Sequence, residues 1–312
     1  VIVPYFNAKN YLTTFVDDLA TQVFIDFETI FIDDGSTDNS TVILKKALAR
    51  YPLQVKLLKQ TNKGVSAARN LGLKYAENDY VIFSDCDDRL DAQYLARLHE
   101  VAEEAQYDMV GCCAQTQNKK GQQSIIGQSM EYTNNNSLLI DFLDQRLPIN
   151  LWTKMFRRQI AQQVQFAEDI QINEDKLYIY QICRLVNGAN FIDDVLYHYQ
   201  VNQESASRRL QKEFNSKCLD IQTVAKRIYN SCQYEFPRLA LKHAYTSQME
   251  LLRILLRSGE PHGLTQSLRQ ELRHQVYRHV ERRGLERIED FIFTYCWPLY
   301  KRIIRMDVHA YG

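Results

Sequence analysis

The sequence has few of the residues that build cross-linked or metal-stapled scaffolds. Its seven cysteines are an odd number, and none of them forms a Cys-x-x-Cys pair. This scatter excludes a disulfide framework, gives no support to a zinc site and predicts a reducing, cytoplasmic environment. Glycine is also scarce, with 11 in 312 residues, and neither the P-loop pattern nor Gly-x-Gly-x-x-Gly occurs. Any phosphate group would therefore have to be held by side chains and a metal ion, not by a glycine cradle.

The sequence also lacks long apolar runs, and it carries no net charge. The longest near-apolar stretch, Phe291–Tyr300, is shorter than the roughly 20 residues that span a bilayer, and no signal-peptide pattern opens the chain. The net charge is +0, yet residues 1–207 hold 19 Lys and Arg against 27 Asp and Glu, whereas residues 208–312 hold 19 against 11. This asymmetry predicts either an anionic partner for the basic tail or attraction between the two halves.

Strand-like and helix-like segments alternate over the first 113 residues. Phe27–Ile32, for example, is a strand-like apolar run, and Leu90–Ala105 has helical spacing. Such alternation predicts a parallel sheet with helices on both faces. Residues 115–136 are polar and predict a loop or an exposed hairpin.

The chain from residue 208 onwards shows only helical periodicity. Leu252, Leu255 and Leu256 share one helical face, and Leu264, Leu268 and Leu272 recur at four-residue spacing. We therefore predict one α/β domain over residues 1–207 and a helical domain over residues 208–312.

Polar side chains cluster where the predicted strands end. The clusters are Asn7, Asp33 with Asp34, Asn62 to Gly64, and Asp85 to Asp88. The carboxyl-end loops of parallel strands share one edge of the sheet, where ligands bind in open α/β folds. The sequence therefore predicts a ligand site at this edge.

The Asp85-x-Asp87-Asp88 turn has two interpretations. Its carboxylates could converge on Mg²⁺ or Mn²⁺, which take oxygen ligands and often bridge protein carboxylates to phosphates. It could equally be a solvated turn that caps the next helix. The Asp33–Asp38 loop also has two interpretations. A free Asp34 carboxylate can accept from a base N–H or a ribose hydroxyl, or the loop serves only to cap a helix.

Cations follow the third predicted strand. Lys63 could meet a diphosphate, and a helix beginning at Val65 would direct its N-terminus at an anion. Arg69 could contact phosphate, or pair with Asp85 or Asp34 as a structural residue.

These motifs, in this order, resemble the family 2 glycosyltransferases of the GT-A fold. The resemblance rests on Pro4 to Asn7, on Ile32 to Asp38, on the Asn62 to Asn70 segment and on Phe83 to Asp88. It continues through Trp152-Thr153-Lys154-Met155-Phe156, Glu174-Asp175 and the segment from Leu196 to Ser207. The resemblance implies a GT-A type, mostly parallel sheet flanked by helices, followed by an all-α C-terminal region.

The resemblance also implies roles for individual residues. Asp175 would be the catalytic base with Glu174 beside it, and Asp87 would be the main ligand of Mn²⁺ or Mg²⁺. Asp85 and Asp88 would support the metal, and His198 either reaches the metal or is a satisfied core histidine. The residues that would contact the nucleotide are Pro4, Phe6, Asn7, Asp34, Lys63, Gly64, Arg69, Asp85 and Cys86.

The implied activity is inverting transfer of a sugar from a nucleotide-diphospho-sugar, usually UDP-linked, to a saccharide or lipid-linked saccharide acceptor. The family's commonest bacterial role is assembly of cell-surface polysaccharide or lipopolysaccharide. A sugar nucleotidyltransferase and a non-catalytic sugar-nucleotide-binding scaffold are the alternatives. We expect no nucleic-acid partner. We expect the basic tail either to contact the inner membrane face or to hold a lipid-pyrophosphate acceptor. The alternatives are that it packs against the acidic half or forms a homodimer.

Two residues depart from the family pattern. Gln200 stands where the family commonly has arginine, which removes a phosphate contact there. Phe6 replaces the usual tyrosine, and the missing hydroxyl removes one hydrogen bond.

Overall fold

The chain forms two compact units. The computed structural model describes residues 1–117, 123–200, 214–258, 262–276 and 285–306. The first unit comprises Val1–Phe142 and Leu147–Val201, and the second comprises Leu143–Arg146 and Asn202–Gly312. The domain boundary predicted between residues 207 and 208 lies outside the described residues.

The first unit opens with three parallel strands in the order β1-β2-β3. These are β1 Ile2–Tyr5, β2 Glu28–Asp33 and β3 Gln54–Lys59, and helices α1 Leu12–Ala20, α2 Ser40–Leu48 and α3 Val65–Tyr75 follow them in turn. Tyr5 lies beside Asp33, and Asp33 beside Lys59. The three strands therefore end level with one another, and the loops that follow them share one edge.

Burial explains why these segments form strands and helices. All six residues of β2 are buried, as expected of a central parallel strand with both faces covered. Helix α1 buries Leu12, Phe15 and Leu19 at helical spacing. Helix α3 approaches β1 closely at Gly72, where a Cβ atom would lie 2.4 Å from Cγ2 of Ile2.

The second sheet of this unit mixes parallel and antiparallel pairs. Its path is β4-β9-β6-β10-β5, with β7 paired to β6 and β8 paired to β10. The strands are β4 Tyr80–Ile82, β5 Arg89–Leu90, β6 Met109–Gln117, β7 Gln123–Ile126, β8 Met130–Tyr132, β9 Lys154–Arg157 and β10 Ala189–Tyr199. Strands β6 and β10 are parallel, and a single parallel bridge joins Ile2 to Phe83. The α/β class is confirmed, and the parallel order is interrupted by antiparallel strands in the second sheet.

Among its described residues, the first unit has four further helices: α4 Tyr94–Glu104, α5 Asn135–Leu143, α6 Arg158–Ala161 and α7 Glu174–Cys183. Only the last residue of α5, Leu143, is assigned to the second unit. The helix predicted to begin at Leu90 begins at Tyr94, because Arg89 and Leu90 pair with β10. Asp18 fixes this short strand by accepting from the Leu90 N–H at 3.0 Å. The hairpin predicted within residues 115–136 is formed by β6 and β7, and its turn at residues 118–122 lies outside the described residues.

The described part of the second unit is helical, as predicted. Its helices are α8 Asp220–Cys232, α9 Pro237–Ser258, α10 His262–Val276, α11 Leu285–Tyr295 and α12 Trp297–Met306. The predicted apolar faces are buried at Leu252, Leu255, Leu268 and Leu272. Among the described residues, no helix is both long and apolar enough to cross a bilayer.

Candidate active site

Asn7 ties the loop after β1 to the loop after β2. Its backbone is left-handed, with φ of 50°. Its side-chain oxygen accepts hydrogen bonds from the backbone N–H groups of Thr37 at 2.9 Å and Asp38 at 3.3 Å. The Asn7 oxygen therefore shapes the loops that the sequence assigned to nucleobase contact. Phe6, just before it, exposes 47% of its surface, and Pro4 is half-buried in β1.

Asp34 ties the loop after β2 to the loop after β3. Its carboxylate accepts from Gln60 Nε2 and the Lys63 N–H, both at 2.8 Å, and from the Gly64 N–H at 2.9 Å. A carboxylate has about four acceptor sites, so about one remains for a ligand. The loops touch at Gly35, where φ is 77° and a Cβ atom would lie 2.7 Å from the backbone nitrogen of Asn62.

Lys63 and Gly64 end this loop at the start of helix α3. Lys63 is exposed, and Gly64 has φ of 91°, a conformation that favours glycine. Helix α3 begins at Val65, so its unpaired N–H groups lie at the edge where the strands end. A helix N-terminus with a lysine beside it attracts anions.

Side chains in the acidic turn after β4 alternate between exposure and burial. Asp85 and Asp87 are half-buried, whereas Cys86 between them is 7% exposed and packs in the hydrophobic core. Burial raises the pKa of the Cys86 thiol well above its usual value. The side chain of Cys86 therefore packs in the core, and the predicted contact of this residue with the nucleotide stays a prediction.

Asp88 is held inside the fold. It is 2% exposed, its Oδ2 accepts from the Tyr197 hydroxyl at 2.7 Å, and its Oδ1 accepts from the Gln200 N–H at 2.7 Å. Burial, with the nearby charge of Asp85, raises the pKa of Asp88 to about 8. The two oxygens of Asp88 thus accept hydrogen bonds from β10 and the residue after it, and its predicted support of a metal stays a prediction.

Arg69 connects the acidic turn to the start of helix α7. It is 6% exposed, and it donates to Glu174 Oε1 at 2.9 Å and to Asp85 Oδ1 at 3.4 Å. Its guanidinium lies over the Phe166 ring, 5.4 Å from the centroid. Burial lowers the pKa of Arg69, but Asp85, Glu174 and Asp175 outweigh that effect and raise it. Of the two interpretations of Arg69, the structure shows pairing with Asp85, and it adds Glu174, which the sequence did not predict.

Glu174 and Asp175 form the first turn of α7, and the residue before them, Asn173, has a left-handed backbone with φ of 65°. Burial raises the pKa of Glu174, the charge of Asp175 adds to the effect, and Arg69 partly offsets it. Burial likewise raises the pKa of Asp175, and Arg69 opposes the shift. Two carboxyls that are hard to ionise together are typical of acid–base sites.

Lys154 is a further charged group near these carboxyls. It is fully buried, and its Nζ donates to the Asn150 carbonyl at 2.6 Å. Burial lowers the pKa of Lys154 to about 8, while the negative charge of Asp175 is among the effects that oppose the shift. The sequence motif contains Lys154, but the sequence did not predict a role for it. The pattern that could have identified it is a lysine within the apolar run from Trp152 to Phe156.

The backbone of His198 lies beside Arg89, the residue that directly follows the acidic turn. Tyr197 and Tyr199 both stack on Trp152, at 4.3 and 5.6 Å, so the side chain of His198 occupies the opposite face of β10. It lines a cavity of about 640 Å³ together with Asp18, Arg89 and Gln115. His198 is half-buried, so it is not a fully buried core histidine, and its predicted role at the metal stays a prediction.

The carboxylates of Asp85 and Asp87 fit a divalent ion only if a substrate supplies further oxygen ligands. Within the described residues, no group of three His, Cys, Asp or Glu side chains could hold a metal ion alone. Asp85 and Asp87 are the two carboxylates that the turn directs away from the core. Mg²⁺ is commonly bound by one or two carboxylates plus substrate phosphates, and Mn²⁺ accepts the same oxygen ligands. The two residues therefore fit such an ion if a diphosphate supplies the other ligands.

Known proteins with similar sequences are glycosyltransferases. A sequence model of glycosyl transferase family 2 matches residues 1–165. The glycosyltransferase EpsJ of Bacillus subtilis is 28% identical over 233 residues, covering 70% of this chain and 67% of EpsJ. The glycosyltransferase GlyA of Streptococcus pneumoniae is 27% identical over 299 residues, covering 90% of this chain. The chain spans only 42% of the length of GlyA.

Solved structures with a similar fold hold nucleotide sugars. Staphylococcus aureus TarS 1–349 in complex with UDP-GlcNAc has a TM-score of 0.57 at 19% identity, covering 99% of this chain and 90% of that one. The mannosyltransferase PcManGT from Pyrobaculum calidifontis, with GDP-Man and Mn²⁺, has a TM-score of 0.56 at 14% identity, covering 97% and 85%. These similarities confirm the GT-A type of fold. Because the family model matches more than half of the sequence, the chain belongs to glycosyl transferase family 2.

Proposed function

We propose that this chain is an inverting, metal-dependent glycosyltransferase that moves a sugar from a UDP-linked donor to an acceptor hydroxyl. The observation that carries this proposal is the Arg69 bridge, which reaches Glu174 at 2.9 Å and Asp85 at 3.4 Å. It joins the turn that would bind the donor diphosphate to the carboxyls that would take the acceptor proton. Holding both sets of groups in one place supplies the proximity that a transfer reaction needs.

The donor half of the proposal uses the edge where β1 to β4 end. Phe6 and the Asn7 and Asp34 loops would receive the nucleobase. Lys63 and the N-terminus of α3 would face the diphosphate. The bound UDP-GlcNAc and GDP-Man of the structural neighbours support a nucleotide-sugar donor at a fold of this type.

Asp85 and Asp87 would hold the divalent ion. When bound, Mg²⁺ or Mn²⁺ supplies Lewis-acid stabilisation of the negative charge that gathers on a departing diphosphate. Arg69 contacts Asp85 directly, so it would keep that carboxylate oriented while Asp87 carries the main metal contact.

Asp175 would accept the proton of the attacking acceptor hydroxyl. Its raised pKa makes it a stronger base than a surface aspartate once it is ionised, and Arg69 favours the ionised form. Glu174 is engaged by Arg69, so we assign it the role of orienting the first turn of α7. Attack from the side opposite the leaving diphosphate gives a single displacement with inversion at the sugar carbon.

The acceptor class follows from the relatives. Staphylococcus aureus TarS is named a poly(ribitol-phosphate) β-N-acetylglucosaminyltransferase, and Bacillus subtilis GgaB a minor teichoic acid biosynthesis protein. TarS is 29% identical over 65% of this chain, and GgaB is 24% identical over 66%. We infer a saccharide or lipid-linked saccharide acceptor in bacterial cell-surface polymer assembly, with the reaction on the cytoplasmic side.

A donor panel tests the reaction class. The full chain is incubated with UDP-GlcNAc, UDP-glucose, UDP-galactose or GDP-mannose, with Mn²⁺ or with chelator, and release of the nucleoside diphosphate is measured. We expect release from one UDP-sugar, dependent on metal and stimulated by a saccharide acceptor. Pyrophosphate exchange into a nucleoside triphosphate would instead indicate a nucleotidyltransferase. Tight binding without turnover on any acceptor would indicate a scaffold.

A matched carboxylate variant controls the panel. Asp26 is exposed and precedes β2, at the end of that strand opposite Asp33. Asp26→Asn removes one negative charge from the same unit without touching the edge described above. Asp26→Asn should retain donor binding and turnover. Asp87→Asn should lose turnover and bind the donor weakly, and Asp175→Asn should lose turnover while it still binds the donor.

A further inference from the structure

The last two helices of the second unit carry apolar side chains on an exposed face as well as a buried one. Phe293, Tyr300 and Ile304 are buried within the unit. Five others are exposed, and we call them the outer apolar patch: Ile288 56%, Phe291 60%, Tyr295 62%, Leu299 48% and Ile303 43%. A surface helix normally needs only one apolar stripe, so a second one calls for a partner.

The patch is arranged as a stripe on each helix. Ile288, Phe291 and Tyr295 follow the three- and four-residue spacing of one face of α11, and Leu299 and Ile303 do so on α12. The Phe291 and Tyr295 rings touch, with centroids 5.0 Å apart. The side chains therefore form continuous apolar surface along each helix, not isolated exposed residues.

Cations lie beside the patch. Arg287 and Arg302 are exposed and each directly precedes a patch residue, Ile288 and Ile303. Arg269 on α10 and Lys301 instead lie over the Trp297 ring, at 4.3 and 6.0 Å from its centroid. That ring packs on the buried Phe293 and Tyr300, so these two cations lie on the inner side of α12. Exposed apolar side chains flanked by exposed arginines are typical of helices that lie in a membrane interface.

We propose that the outer apolar patch docks on an anionic lipid surface. The apolar side chains would enter the boundary between headgroups and acyl chains, and the flanking cations would meet the anionic headgroups. The charge of the tail favours this occupant over a second copy of the chain. A two-fold dimer through the patch would bring Arg287 and Arg302 of both copies into one interface, whereas an anionic surface is complementary to these cations.

This proposal does not depend on the reaction that the first unit performs. It explains why the basic excess of residues 208–312, 19 Lys and Arg against 11 Asp and Glu, is accompanied by exposed aromatic side chains. A lipid surface would also bring a lipid-linked acceptor to the enzyme, but docking can be measured without any donor or acceptor.

Vesicle co-sedimentation of the full chain tests the proposal. Vesicles of phosphatidylcholine mixed with phosphatidylglycerol are compared with phosphatidylcholine alone, at low and high salt. We expect binding to the anionic vesicles only, weakened by salt. Arg287→Gln with Arg302→Gln should weaken partitioning about twenty-five-fold, since each cation near an anionic surface contributes about fivefold. Phe291→Ser with Ile303→Ser should weaken it roughly tenfold or more.

Matched controls come from the same unit. Tyr234 is 92% exposed and lies outside the patch, and Lys217 and Lys226 are exposed cations away from α11 and α12. Tyr234→Ser, and Lys217→Gln with Lys226→Gln, should leave partitioning within about twofold of the unmodified chain. Circular dichroism checks that every variant is folded.

Three outcomes would overturn the proposal. These are no binding to either vesicle type, equal binding to both, or equal loss in the control variants. A dimer in light scattering that Phe291→Ser with Ile303→Ser dissociates, without vesicle binding, would assign the patch to a second copy of the chain.

Discussion

Two arginines, one in each unit, are placed among carboxyls in opposite ways. In the first unit Arg69 faces three carboxyls, Asp85, Glu174 and Asp175, and their negative charge exceeds its own. In the second unit Arg253 faces Glu289 through two short contacts at 2.6 and 2.7 Å, and the Tyr300 hydroxyl donates to the same carboxylate at 3.0 Å. The charges of Arg253 and Glu289 therefore balance, whereas the three carboxyls around Arg69 leave an excess of negative charge.

The difference separates a reactive arrangement from a structural one. Unmatched carboxyls that are buried together hold protons more tightly, which is what a base working near neutrality requires. A matched pair that is also hydrogen-bonded keeps its helices together and has no proton to exchange at neutral pH. Changes around Arg69 should therefore alter chemistry, and comparable changes around Arg253 should alter stability.

The largest expected effect follows loss of the metal contact. Asp87→Asn should reduce transfer below detection and weaken UDP binding, because the neutral amide cannot balance a divalent charge. Calorimetry with UDP measures binding in Mn²⁺ and in chelator. The unmodified chain should bind more tightly in Mn²⁺, and the variant should show the same weak affinity in both. Equal affinity of the unmodified chain in both conditions would remove the metal from the mechanism.

Loss of the proposed base should be the next largest effect. Asp175→Asn has nearly the same shape but cannot accept a proton, so turnover should fall by about a hundredfold or more. UDP affinity should stay close to that of the unmodified chain. Glu174→Gln and, in the second unit, Asp290→Asn are the comparisons. Wild-type turnover of Asp175→Asn on its acceptor would move the role of base to Glu174.

The excess of negative charge around Arg69 can be tested by measuring how turnover depends on pH. Arg69 holds down the pKa of Glu174 and of Asp175, so Arg69→Met should raise both. A base with a higher pKa is protonated at pH values where it was ionised before. The acidic limb of the turnover profile should therefore move to higher pH, and turnover at pH values below the limb should fall.

Arg157 provides a matched control for the pH profile. It pairs with a single carboxylate, Asp108, at 3.0 Å, away from the acidic edge. Arg157→Met should lower stability without moving the acidic limb. Arg69→Lys keeps a positive charge and should restore most of the profile. If Arg69→Met leaves the limb in place, the bridge has only a structural role.

The two units also differ in how far the sequence predicted them. Motifs at strand ends located Asn7, Asp34 and Asp85, because parallel strands bring consecutive loops to one edge. The Arg69–Glu174 contact joins residues 105 positions apart, and the Tyr197–Asp88 contact joins residues 109 apart. Such pairs depend on which strands become neighbours, which local pattern does not determine.

The direction of some side chains could have been predicted from the alternation of the two faces along an extended chain. A cysteine between two aspartates at the end of a buried strand should point inward, as Cys86 does. The same period of two places His198 opposite Tyr197 and Tyr199. In the second unit, helical spacing predicted buried Leu252 and Leu272 but not the pairing of Arg253 with Glu289, since exposed and buried charges look alike in sequence.

The smallest expected effect lies in the second unit and completes the comparison. The Tyr245 hydroxyl donates to Asp290 Oδ1 at 2.8 Å, and Tyr245 is otherwise fully buried. Tyr245→Phe keeps the ring and removes this one bond to a partly exposed carboxylate, so the free energy of unfolding should fall by about 1 kcal/mol. Urea unfolding measures the loss, and UDP calorimetry on the same sample should show unchanged affinity. Tyr245 is not one of the residues that we propose to bind the donor or to act as the base. If the variant bound UDP more weakly while the same fraction of it was folded, the assignment of the chemistry to the first unit alone would be contradicted.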